Sequence, residues 1–471
     1  MNQNLTIRLF QISNGIQYLT SFICISIILF FKGTKIYGEF AILLQYAGVI
    51  LALFSLYTPA SVLKQFIILD SSVKNKRNYL HEIITLMIQN IILFFLVSMV
   101  INFLGYSFSM SLALFLFLTL STGNFLTPLA YKIKRSYLIP ISFIVCGLIT
   151  VIYTFYCSKY FDSDEISKLL VWSNIIGLTP NIYFIFLLFR EYLKEIGSIE
   201  NFSLDYFRLR PTNKKLSLYL NELLIFTYHK FDGIVLAGVG SPEIFAIYSV
   251  LWKSIEAPQF IIGNVNNYLF STDYYKNLGN LANEIEPIGV TFRSLSIRKF
   301  VLMSKLLIGK LKKQKFINES VMLIKSFLLV NISVIFLLIY FSKNTNTNLL
   351  VFFPFIIFIL LIIFVGLCAC SVLLALNNTR ILLLRSIVGG GLALLTAPIL
   401  VTKYGLLGSI VSTLIAQFGS LIIPTFVNYQ GMSSLLVVIN ILALNIPNAI
   451  NTILNDFKKF LYKIKLKRIF F

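Results

Sequence analysis

"YHKFDGIVLAG", residues 228–238, decides how this chain is to be read. It ends an apolar run from Leu216 to Gly238, long enough at about 1.5 Å per residue to cross a hydrocarbon core of about 30 Å. Yet His229, Lys230 and Asp232 stand almost side by side within that run. A charge at mid-bilayer costs between about 2.5 and about 17 kcal/mol, depending on the scale, unless it meets water or a partner. A helix that keeps three ionisable groups is therefore expected to turn one side away from lipid.

The rest of the chain is built on the same scale. It has 471 residues, 57% of them hydrophobic and 13% charged, with a mean hydropathy of +0.84. Soluble domains carry about 25% charged residues. Apolar runs recur near 9–31, 40–62, 83–103, 108–130, 138–157, 168–189, 216–238, 244–270, 320–341, 349–376, 381–402 and 405–428. The expected fold class is thus an all-α polytopic membrane protein of about twelve transmembrane helices. Arg8 leads directly into Leu9–Phe31, a full-length span with no small-residue cleavage site behind it. The first helix is expected to act as the targeting signal.

The net charge of +21 is a topology signal. With a cytoplasmic N-terminus, most Lys and Arg fall in the inner loops. They cluster at Lys74–Arg77, Lys132–Arg135, Arg190–Lys215, Lys276–Lys315, Arg380 and Arg385, and the tail after Asp456. The turn holding Asp162, Asp164 and Glu165 lies outside. That bias orients the chain and draws anionic head groups, so membrane lipids are expected partners and nucleic acid is not. Both termini are then cytoplasmic. The segment 434–454 carries Pro447 and several asparagines, and crossing there would strand the basic tail outside. It reads as re-entrant or interfacial, and 457–471 as a basic amphipathic segment on the inner leaflet.

"KIYGEFAILLQYAGV" (35–49) and "PEIFAIYSVLWKSIE" (242–256) each open a long helix after a short turn. Spans one to six and seven to twelve then read as two copies of a six-helix unit, a parallel repeat typical of transporters. The expected organisation is an N-terminal lobe over 1–215, a C-terminal lobe over 216–430, and an interfacial segment with a basic tail over 431–471.

Three stretches carry a resemblance to a known family. "HKFDGIVLAGVGSPEIFAIYSV" resembles the seventh and eighth helices of polysaccharide flippases, "YGEFAILLQ" their second helix opening, and "YGLLGSIVSTLIAQF" (404–418) their last helix. The order and spacing resemble the Wzx-type O-antigen flippases within the MATE-related multidrug/oligosaccharidyl-lipid/polysaccharide (MOP) exporter superfamily. This sequence departs where the common G-x-Y after the turn reads Ala246-Ile247-Tyr248, and where the second helix exits through "LYTPASVLK". The resemblance implies a MATE-like fold of two lobes around an alternately opening cavity. It implies a bacterial inner membrane, and a cargo of oligosaccharide on undecaprenyl diphosphate for O-antigen or capsule assembly. A polysaccharide polymerase and a chain-length regulator would be its partners.

Candidate cargo-binding residues follow from charge inside the spans. His229 and Asp232, three apart, share a helix face, while Lys230 points about 200° from Asp232. Lys230 is expected to face a wet cavity and attract the diphosphate, or else to snorkel outward. Lys253 and Glu256, just before Pro258, form a local ion pair or offer a second cation. Lys64 near the inner end of the second span, and Asn14 with Gln17 on one face of the first, complete the set. Lys64 also fits a topology anchor, and the two amides fit polar glue between helices. The prolines at 128, 180, 258, 354, 398 and 424, with Gly389-Gly390-Gly391, are expected to interrupt helices.

No phosphate-binding glycine loop, nucleophile with a paired base, or metal-ligand spacing is present, so a transporter without cofactors is expected rather than an enzyme. The five cysteines read as small buried hydrophobes. Two alternatives stay open. A MATE-like cation-coupled drug exporter would want a net acidic cavity. A polysaccharide polymerase would want a large outer loop, and the outer turns here are short.

Overall fold

The computed structural model describes residues 3–54, scattered positions within 88–103, then 109–121, 137–161, 166–196, 213–270, 274–285, 317–345, 347–376, 379–427 and 429–470. Among these the chain is helical throughout, with no strand. In order come α1 (Gln3–Phe54), α2 (Ser109–Ser121), α3 (Leu138–Tyr160), α4 (Ile166–Ile196), α5 (Asn213–Val239) and α6 (Pro242–Phe270). They are followed by α7 (Tyr274–Ile285), α8 (Ile317–Thr345), α9 (Phe353–Ala375, entered through a 3₁₀ turn at Leu349–Phe352), α10 (Thr379–Val427) and α11 (Tyr429–Phe470). Seven of the described helices are long and apolar enough to cross a membrane. The expected all-α polytopic membrane class holds.

Glycine, not proline, sets the breaks. α1 turns at Gly33 (φ 75°, ψ −175°) and α10 at Gly405 (φ 55°, ψ −125°). Both conformations are open only to a residue without Cβ. Helices run on through Pro180, Pro258 and Pro447, and α10 through Pro398, Pro424 and the 389–391 triplet. The interruptions expected at Pro180, Pro258, Pro398, Pro424 and 389–391 are absent, whereas Pro354 stands in the first turn of α9, where that helix begins. Hydroxyls stand close to two of the prolines: Thr179 donates to the Ile176 carbonyl, and Thr402 to the Pro398 carbonyl. Pro128 lies outside the described residues.

One compact unit comprises Met1–Val250, Lys343–Thr347 and Ala397–Ser409. In it α1, α3 and α4 pack on one another through small residues, as helices do where lipid offers no hydrophobic drive. A Cβ on Gly177 would fall 1.7 Å from Thr150 Oγ1, and one on Gly147 would fall 2.4 Å from Thr20 Oγ1. Hydroxyl and amide bonds close the same seam: Cys146 donates to Asn181 Oδ1 at 3.1 Å, and Thr154 meets Ser173 at 3.1 Å.

The other unit comprises Leu251–Ser342, Asn348–Thr396 and Ile410–Phe471. Its core gathers Ile262, Leu269, Tyr275, Phe364, Val372, Val437 and Ala449, with Phe327 stacked on Phe364 at 4.6 Å. One expectation changes here. The basic loop after α6 is not all loop, because "YYKNLGNLANEI" forms α7 and buries Tyr274, Tyr275 and Leu278. Apolar side chains at positions 274, 275 and 278 give that short helix one sticky face. The segment 434–454 was expected to be re-entrant or interfacial. It is part of one helix, its stretch Gly431–Asp456 is long and apolar enough to span, and Met432, Leu436, Val437 and Ile441 are in the core.

Gly405 offers a clean test, since nothing stands within 4 Å of its Cβ position. Gly405→Ala is expected to destabilise the purified protein by about 1–3 kcal/mol through backbone strain alone. Gly391→Ala, in open space within the same helix, is expected to leave the thermal midpoint unchanged or raised.

Candidate functional site

The site is built from the α5–α6 hairpin. α5 stops at Gly240, whose amide bonds to the Leu236 carbonyl at 2.8 Å. Ser241 then caps α6: its Oγ accepts from the Ile244 amide at 3.4 Å, and its carbonyl accepts from Phe245 at 3.0 Å. Pro242 at the first helical position lacks only an N–H that would go unused there. Exposed Glu243 follows, its carboxyl held below the usual range by its own backbone amide and the Ser241 hydroxyl, with Lys35 assisting.

This turn brings Asp232 opposite Tyr248. Asp232 is 3% exposed. Its Oδ1 accepts from Tyr248 Oη at 3.2 Å, and its Oδ2 from Ser409 Oγ at 2.6 Å. Gly233 makes the first bond possible, because a Cβ there would meet Tyr248 Oη at 2.6 Å. Ser409 is delivered by α10 just after its break: Gly408 lies so close to Leu400 that a Cβ would be 1.9 Å from that carbonyl. The carboxylate is thus oriented by hydroxyls from two other helices.

The second half of α1 closes on the same hairpin. Tyr37 Oη and Ser249 Oγ bond at 2.9 Å, and Gln45 Nε2 donates to the Lys230 carbonyl at 3.1 Å. Gly38 lies on the first turn of α6, where a Cβ would sit 1.8 Å from the Pro242 carbonyl oxygen. "YGEF", "SPEIFAIYS" and "YGLLGS", far apart in sequence, therefore converge around one carboxylate.

The remaining candidates divide. His229 and Lys230 are half-buried on α5, one turn or less before Asp232. On α6 Lys253 and Glu256 form the local ion pair at 2.6 Å, with Lys253 37% exposed. Trp252 Nε1 holds the other carboxylate oxygen at 2.9 Å. Lys64 lies outside the described residues, as do the side chains of Asn14 and Gln17, although the α1 backbone runs through both positions. Lys325, a further embedded lysine, is bonded to Asp456 of α11.

Sequence reading missed Ser409, Ser249, Gln45 and Arg385. The first three are common polar residues with no charge to mark them. Arg385 was expected in an inner loop, yet it stands seven residues into α10. The apolar "ILLL" before it was the signal.

Replacing Gly38 with Ala is expected to push α1 off the α6 turn. The cost should be about 1–3 kcal/mol in thermal unfolding of the purified protein. Gly48→Ala, with nothing within 4 Å, should cost nothing and serves as the matched control.

No protein-family model matches this sequence, and no curated protein matches it. Solved structures do resemble it. An outward-facing multidrug resistance MATE family transporter of the MOP superfamily is 12% identical, with 91% of this chain and 95% of that one covered at a TM-score of 0.52. The lipid II flippase MurJ, in an inward closed conformation, is 14% identical, with 95% and 93% covered at 0.54. At such identities the likeness is one of fold. This chain is a multi-pass, all-helical membrane protein with the fold of those MATE and MurJ transporters.

Proposed function

We propose that this protein is a flippase moving undecaprenyl-diphosphate-linked oligosaccharide across a bacterial inner membrane, for O-antigen or capsule assembly, by alternating access. The fold is shared with the lipid II flippase MurJ, and the motifs quoted above resemble polysaccharide flippases. The observation that carries the choice of cargo is the sign of the embedded charge. Glu256 is matched by Lys253 and Asp456 by Lys325, buried Asp232 is offset in number by Lys230 on the same helix, and Arg385 stands against no described carboxylate. A diphosphate needs cations, and a cationic drug needs the opposite.

In this reading Lys230 contacts the diphosphate as a compact charge, with His229 beside it and Lys64 at entry. Asn14 and Gln17 bond sugar hydroxyls. Asp232, set among hydroxyls, and Glu256 are the groups through which proton or cation coupling would act. The polymerase and chain-length regulator receive the delivered unit, and surrounding lipids hold the polyprenyl tail.

The second reading, a drug exporter, is favoured by the MATE likeness. Two assays separate them. Lys230→Ala should abolish surface polysaccharide in complemented cells while the protein stays in the membrane. Expression of the wild type should leave resistance to cationic drugs unchanged. Full complementation by Lys230→Ala removes that residue from the site, and strong drug efflux selects the second reading.

A further inference from the structure

The guanidinium of Arg385 is held in the second unit by an unusual set of partners. Its Nε donates to the Ser420 carbonyl at 3.3 Å, and its Nη1 to the Gly366 carbonyl at 3.1 Å and to Cys370 Sγ at 2.7 Å. These acceptors are two backbone carbonyls and a sulfur, and none is a carboxylate. Arginine carries five N–H donors and stays protonated in any protein setting. Nη2, with two of those donors, has no acceptor among the described residues. The positive charge is thus fixed in place with no carboxylate bonded to it among the described residues.

Position adds to the argument. Arg385 lies five residues past Arg380, where the membrane-capable stretch of α10 begins, hence about 8 Å along the axis from that end. Long cationic side chains at that depth still reach the head-group layer. On the facing helix α9 the residue is Gly366, and a Cβ there would stand 3.0 Å from Nη2. The glycine leaves the guanidinium edge uncovered where any side chain would crowd it.

We infer that Arg385, framed by Gly366 and Ser420, is a phosphate-accepting site for an anionic lipid, separate from the α5–α6 site. The identification of one source, the diphosphate of a polyprenyl-linked cargo, rests on the flippase reading. The other source is the phosphate of a membrane lipid. Either presents the planar fork with paired oxygens, which a lysine at this position would meet only as a point charge.

The test uses the full chain in phosphatidylcholine nanodiscs, with farnesyl diphosphate as probe and bound ligand measured directly. Wild type is expected to bind, Arg385→Gln to bind at least tenfold more weakly, and Arg385→Lys to fall between. Gly366→Ala keeps the charge but crowds Nη2, so it too should weaken binding severalfold, which guards against an Arg385 variant that misfolds. Adding phosphatidylglycerol to the discs names the source. If it displaces the probe from wild type but not from Arg385→Gln, the site takes lipid head groups; without displacement it takes the diphosphate. Wild-type affinity in both Arg385→Gln and Gly366→Ala overturns this site and leaves the flippase reading standing. A wild type that takes neither probe nor phosphatidylglycerol overturns both.

Discussion

A carboxylate inside a membrane bundle survives only if other helices supply its donors. Asp232 is such a group, and the first unit is arranged around satisfying it. Tyr248 and Ser409 supply hydroxyls from α6 and from α10 beyond its break. A hydrogen bond to a charged group contributes about 1.5–3 kcal/mol, which offsets a good part of the lower estimates for burying the charge, about 2.5–3.5 kcal/mol. Removing either donor weakens the support of a charge that lipid will not solvate. The bond set therefore ties together stretches separated by 16 and 177 residues.

Close approach makes those bonds reachable. Gly233 admits the Tyr248 ring, Gly38 admits the Pro242 carbonyl, and Gly408 admits the Leu400 carbonyl. In lipid there is little hydrophobic gain in pressing one apolar helix on another, so contact area and hydrogen bonds decide which helices meet. Small residues at 38, 233 and 408 supply the area, and hydroxyls at 37, 248, 249 and 409 supply the bonds. The α1–α3–α4 seam repeats the device with Gly147, Gly177, Thr150 and Ser173.

Hydropathy showed the membrane class and nearly every described helix, because spans of this length have few rivals. It could not show which interruptions matter. Proline marks a possible break, but a helix tolerates it when neighbouring hydroxyls adjust, as Thr179 does by donating to the Ile176 carbonyl that Pro180 leaves without its backbone partner. Gly33 and Gly405 break because their backbone adopts positive φ, which no composition rule reveals. The 434–454 segment shows a second limit of composition. Its asparagines looked costly in lipid, yet Asn440 and Asn445 donate to carbonyls one turn back, at Leu436 and Ile441. At the candidate site, Asp232 and Lys253–Glu256 were visible as charges, whereas the hydroxyls that orient Asp232 were not.

The length of α11 has a mechanical consequence. Its 42 residues amount to a rod of about 63 Å, twice the thickness of a hydrocarbon core. Its last described tie to the second unit is the pair of Asp456 with Lys325, and about 21 Å of axis extends from there to Phe470. Such an extension is a pointer: each degree of tilt about that fulcrum swings the tip by about 0.4 Å, so a ten-degree rocking of the core sweeps it about 4 Å. The lysines from Lys458 to Lys467 and Arg468 ride on that pointer. Small rearrangements deep in the bundle are thereby written large at its tip.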